Sequence, residues 1–239
     1  MNGSHGSPHR ALDLPEPRFR AAAGAVLLLH GGRAESLAPP SALNLPDLRM
    51  RAFARALRED PRHADVLVGH VRYRLRGWNG DRADPVTDAR RALAELKDAA
   101  GPVPLVLLGH SMGARAALHA ADDPQVRGVV GLAPWCPPGD PVAHLAGRTV
   151  IALHDETDRV TSAHDTWAYL RRAGEAGARV RGLRMPGGRH TMLRRFDLWH
   201  QLAVRSTAEV LGLPFPPGAP APRAVWKAGP LDASDFAGA

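Results

Sequence analysis

Four short stretches of the 239-residue chain hold residues of catalytic type, three of them beside glycines: "HGGR" at 30–33, "GHSMG" at 109–113, "HDETDRV" at 154–160 and "GGRH" at 187–190. Together they offer a hydroxyl, several carboxylates and several imidazoles. That set suits nucleophilic catalysis, in which a base takes the proton of a serine and an acid orients the base. A serine hydroxyl is a poor nucleophile alone, so Ser111 matters only if a histidine and a carboxylate reach it. In chain order the candidate nucleophile, acid and base run Ser, Asp, His.

Positioning such groups is the work of the elements around them. Apolar runs predict strands at 25–30, 64–73, 105–108, 126–132, 149–154 and 178–185, several of them continuous, as in strands covered on both faces. Amphipathic stretches predict helices at 45–57, 86–96, 112–121, 162–173 and 190–211, the last with Met192, Phe196, Trp199, Ala203 and Val210 at helical spacing. Strands alternating with helices imply an α/β fold around a mainly parallel sheet. In such a sheet the ligand site lies beyond the carboxyl ends of the strands, and each of the four stretches follows a predicted strand.

Composition narrows the function classes. A chain of this length with 44% hydrophobic residues can bury a sizeable core in one domain. The charge of +7 comes from 31 basic residues, only two of them lysines, against 24 acidic ones, and no block of five or six like charges marks a nucleic-acid arm. The single Cys136 excludes an internal disulfide, and no Cys/His cluster has zinc spacing, so neither metal nor cofactor is expected. "RFRAAAGAVLLLHGG" resembles a signal peptide superficially, but no small-residue cleavage pattern follows it and it reads better as a core strand. No run of eighteen apolar residues spans a membrane. The expected organisation is a loosely ordered segment 1–20, a catalytic domain 21–212 and a Pro/Gly/Ala-rich tail 213–239, in a cytoplasmic protein.

On these motifs the chain resembles the α/β-hydrolase superfamily over residues 22–212, in particular its small lidless esterases and dienelactone-hydrolase-like members. The resemblance implies the α/β-hydrolase fold with about six strands, helices on both faces, no sizeable lid and no N-terminal antiparallel hairpin. It makes "GHSMG" the nucleophile elbow, a sharp strand-to-helix turn where Gly109 and Gly113 leave room for the crossing. It makes Ser111 the nucleophile, His190 the base and Asp158 the acid that orients it. Asp155 stands where the family commonly has glycine and is the rival acid. The oxyanion hole would take the Met112 N–H together with that of Gly32 or Arg33.

Around the substrate the sequence places His30, His110, Trp78 and Trp135, both histidines neutral and hydrogen-bonded. Cys136 reads as an inert thiol. Too few residues separate Trp135 from Thr149 to hold a helical lid. The expected activity is cofactor-free hydrolysis of small soluble esters or thioesters through an acyl-serine. The same residues would serve perhydrolysis or carbon–carbon bond hydrolysis, and the fold can also act as a binding scaffold with its triad idle. A small-molecule substrate is the expected partner, with no nucleic acid and no membrane.

Overall fold

The computed structural model describes residues 9–15, 22–41, 43–214 and 230–232. Eight strands form one sheet: β1 (Leu12–Asp13), β2 (Gly24–Leu29), β3 (Val66–Val71), β4 (Leu105–His110), β5 (Val126–Leu132), β6 (Thr149–His154), β7 (Arg179–Arg184) and β8 (Pro230–Asp232). Their order is β1-β3-β2-β4-β5-β6-β7-β8, and only β1, against β3, runs antiparallel. The six long strands are those the apolar runs predict. Two short edge strands raise the expected six to eight. A two- or three-residue strand has no periodicity to read, and β1 forms inside the segment expected to be loose because Glu95 accepts the Ala11 and Leu12 N–H groups at 3.0 and 2.8 Å.

Alternation along the strands builds two cores. On β2, Ala25, Leu27 and Leu29 face one side while Val26 and Leu28 face the other, and β4 divides Leu105 and Leu107 from Val106 and Leu108 in the same way. The first side is covered by α2 (Asp84–Ala100), α3 (Met112–His119) and α4 (Ala163–Glu175). The second is covered by α1 (Leu45–Glu59), through Met50, Phe53, Ala54 and Leu57, and by α5 (Phe196–Leu211), through Trp199, Leu202 and Ala203. The sheet is thus largely dry on both faces, apart from the buried Arg181 within β7, which pairs with Glu209 of α5 at 2.7 Å.

Between β5 and β6 the chain makes no helix beyond the single turn Ala143–Leu145, so no lid is inserted there. The predicted helix 190–211 begins only at Phe196. Positive φ angles at Arg189, Met192 and Arg195 interrupt the turns before it, and these left-handed residues free His190 from helical geometry. Met192 nevertheless packs in the core, as its spacing suggested.

Candidate active site

β4 ends at His110, and the chain turns into α3 through Ser111, whose φ of 55° and ψ of −120° no ordinary strand or helix residue adopts. Such a conformation costs about 1–3 kcal/mol and persists only where the surroundings enforce it. Enforcement is visible. The Ser111 N–H donates to the Leu132 carbonyl at 3.0 Å, and its own carbonyl accepts from the N–H groups of Ala114, Arg115 and Trp135. A Cβ on Gly109 would lie 2.5 Å from the backbone of Ala114, and one on Gly113 would lie 2.3 Å from the Leu29 carbonyl oxygen. Both glycines are therefore steric requirements of the crossing.

The candidate acid and base come from the connections after β6 and β7. His190 Nδ1 lies 2.7 Å from Asp158 Oδ2, and the Asp158 side chain is wholly buried. Burial alone would raise the Asp158 pKa. Hydrogen bonds from His154, His190 and the Val160 N–H, with the charge of His190, outweigh it and hold the carboxyl well below the usual carboxylate range. A carboxylate accepts only, so Nδ1 of His190 carries the proton and Nε2 keeps a lone pair. Asp155, the rival acid, is turned elsewhere: it accepts from the Thr157 N–H and hydroxyl and, at 2.8 Å, from the Arg189 N–H. It ties the two connections together beneath the base.

Two residues of this network were not singled out from sequence. His154, wholly buried, places Nε2 at 3.2 Å from Asp158 Oδ2 and Nδ1 at 2.9 Å from the Thr166 hydroxyl. Lone pairs facing each other at 3.2 Å would repel, so Nε2 carries the proton and donates to Asp158. Thr161 Oγ1 lies 3.1 Å from Asp158 Oδ2 and 3.2 Å from His190 Nδ1. Their sequence signal was the spacing around the acid, four residues before it and three after.

The candidate nucleophile and base are joined through their neighbours. His110 Nε2 donates to the His190 carbonyl at 3.0 Å, and the two rings lie 4.9 Å apart. Among the described residues no hydrogen bond links Ser111 Oγ to His190; such contacts commonly tighten only when substrate is bound. Met112 opens α3, where the first N–H groups have no intrahelical acceptor. The Arg33 N–H is committed to the Arg76 carbonyl at 3.0 Å, which removes it from the expected pair of donors. The Gly32 N–H has no acceptor among the described residues. A Cβ there would run into the Met112 side chain, so Gly32 sits against the start of α3.

The sequence profile of the α/β-hydrolase fold family matches residues 24–182, more than half of the chain. This protein belongs to that family. Solved structures agree at the level of fold: a lidless α/β serine hydrolase from Xanthomonas campestris is 22% identical with a TM-score of 0.58, covering 86% of this chain and 89% of its own. An α/β serine hydrolase homologue from Coxiella burnetii is 17% identical, with a TM-score of 0.59 over 82% and 90%. An esterase from Pyrobaculum calidifontis is 17% identical, with a TM-score of 0.61 over 83% and 79%. No curated protein matches the chain.

In this α/β-hydrolase the four expected pocket residues separate into two kinds. Trp135 is half-exposed, and its N–H is fixed to the Ser111 carbonyl. Trp78 is buried behind it, with Arg115 over both indoles at 3.8 and 4.4 Å and clamped by Asp140 through two bonds of 2.7 Å. His110 is buried, and burial with the charges of His190 and Arg49 pushes its pKa down to about 3; it braces His190 through the carbonyl. His30 is bonded to the Gly31 carbonyl and to Asn44, and it lines a cavity of about 440 Å³ with His70, Tyr73 and Asp47 at the ends of β2 and β3. Burial pushes the Cys136 thiol up to about 12, which keeps it an unreactive thiol. Among the described residues no cluster suits a metal ion, and no helix is long and apolar enough to cross a membrane.

Proposed function

We propose that the protein is a serine hydrolase of small esters or thioesters that acts through an acyl-Ser111 intermediate. The observation that carries this reading is the pairing of His190 Nδ1 with the buried Asp158 at 2.7 Å, while His110, the residue that precedes Ser111, holds the His190 carbonyl. His190 Nε2 takes the Ser111 proton as Oγ attacks the carbonyl carbon, and Asp158 stabilises the imidazolium that forms. The tetrahedral oxyanion is received by the N–H groups of Met112 and Gly32, such donors being worth about 3 kcal/mol each. His190 then protonates the leaving alcohol or thiol, and water repeats the sequence to release the acid.

Every residue named lies within 21–212, the span expected for the catalytic domain, while the edge strands β1 and β8 of the same sheet lie outside it. Trp135 forms the wall nearest the nucleophile, and with no lid between β5 and β6 the site admits substrate from an open face. Turnover of p-nitrophenyl acetate, butyrate and octanoate with matched thioesters tests the reading. A burst of about one nitrophenolate per chain, followed by slower steady release, is expected of an accumulating acyl-enzyme. Equal turnover by Ser111→Ala would remove the nucleophile assignment. Retained fold without turnover or labelling would leave the scaffold role in its place.

A further inference from the structure

Because the strands are parallel, each connecting helix starts at the carboxyl end of the sheet, the end that holds Ser111 and His190. Every large apolar side chain left exposed among the described residues is also found there. Leu37, Leu43, Leu45 and Leu48 lie between β2 and the first turn of α1, Val160 follows Asp158, and Leu193 and Phe196 follow His190. α1 and α5 pack side by side, and edge-on ring contacts of Phe196 with His200 at 3.8 Å and of His200 with Phe53 at 4.2 Å join the first two turns of α5 to the third turn of α1, one turn beyond Arg49. The exposed leucines of α1 and the Leu193–Phe196 pair thus belong to one apolar rim. Solvated proteins rarely concentrate such side chains without a use for them.

The rim also holds a cation without a counter-charge among the described residues. Arg49, on α1 between Leu48 and Met50, is half-buried; its Nε is shut off from water without a hydrogen-bond partner, and it forms no ion pair among the described residues. Shutting one nitrogen of a guanidinium off from water with no counter-charge carries a cost, which an arriving carboxylate or phosphate would offset. Its charge reaches His110, the residue that braces His190. Arg189 and Arg194 are exposed on either side of Leu193 in sequence and make no ion pair among the described residues. The nearest carboxylates in sequence are Asp47, spent on Arg51 at 2.9 Å, and Asp197.

We propose that the ester or thioester cleaved here carries a hydrocarbon chain together with an anionic group, the chain lying on Leu45, Leu48, Leu193 and Phe196 and the anion meeting Arg49. The proposal rests on the serine-hydrolase reading for the cleavage and on the rim for the ligand class. Binding of octyl phosphate, octyl glucoside and inorganic phosphate, each below any micelle-forming concentration, separates charge from chain. Octyl phosphate is expected to bind at least tenfold more tightly than either control. Arg49→Gln should erase its advantage over octyl glucoside, and Leu193→Ser with Phe196→Ser should erase its advantage over inorganic phosphate. Leu193 is well exposed, and a melting curve of the double variant checks that losing the contact of Phe196 with His200 leaves the fold intact. Equal binding of the two octyl compounds, or a preference that survives both variants, would overturn the proposal. Turnover of p-nitrophenyl acetate by the same wild-type sample reports on Ser111 separately, so loss of one reading is not mistaken for loss of the other.

Discussion

Asp158 and Asp155 stand three residues apart in one loop, and their partners give them different work. Asp158 faces the His190 ring, whereas Asp155 holds the backbone N–H of Arg189. Asp158→Asn should therefore lower kcat by about four orders of magnitude, because the amide favours the wrong imidazole tautomer. Asp155→Asn should lose far less in kcat and show its effect in thermal stability; steady-state kinetics beside melting curves check both. The motif pointed to these carboxylates but could not rank them from spacing alone, since both fall in a loop of free geometry. His154 and Thr161 escaped notice for a related reason: their use depends on which way the loop folds back over Asp158.

At the scale of elements, the six long strands were legible because each is an apolar run that alternates between two cores. The edge strands were not, and neither was the start of α5, where positive φ at Arg189, Met192 and Arg195 overrides a helical pattern of apolar residues. The elbow is the element on which the site depends most. A methyl group on Gly113 would collide with the carbonyls of Leu29, at the end of β2, and His30, just beyond it, so Gly113→Ala should destabilise the fold by about 3 kcal/mol in urea unfolding and abolish turnover. An unchanged unfolding midpoint would mean that the crossing is looser than described. Trp135 belongs to a wall braced by Arg115 and Asp140. Trp135→Ala should shift the optimum among p-nitrophenyl esters toward longer acyl chains, read as kcat/KM against chain length.

Over the whole molecule, acid should weaken the fold in two stages. Burial lowers the His70 pKa to about 4 and, with nearby charges, that of His110 to about 3, from an ordinary value of 6.5. Both stay neutral in the fold while the unfolded chain takes up protons, so their stabilising contribution is full above pH 6.5 and falls as pH drops toward 4. The depressed carboxyls of Asp155 and Asp158 contribute above about pH 4 and are lost below it, as they are forced to protonate. Melting temperature should thus decline from pH 6.5 to 4, and His70→Gln should make that decline shallower. The α/β class and the placing of the site at the strand carboxyl ends could be read from sequence, because parallel-sheet topology leaves little choice of where ligands bind. The apolar rim could not, since exposure is a property of packing. The most direct test of the account is reaction with a fluorophosphonate followed by mass spectrometry of the peptide that carries the adduct. One adduct per chain at Ser111, lost in Ser111→Ala and strongly slowed in His190→Gln, is the predicted result. Absence of an adduct from the folded protein, or an adduct at another residue, would contradict it.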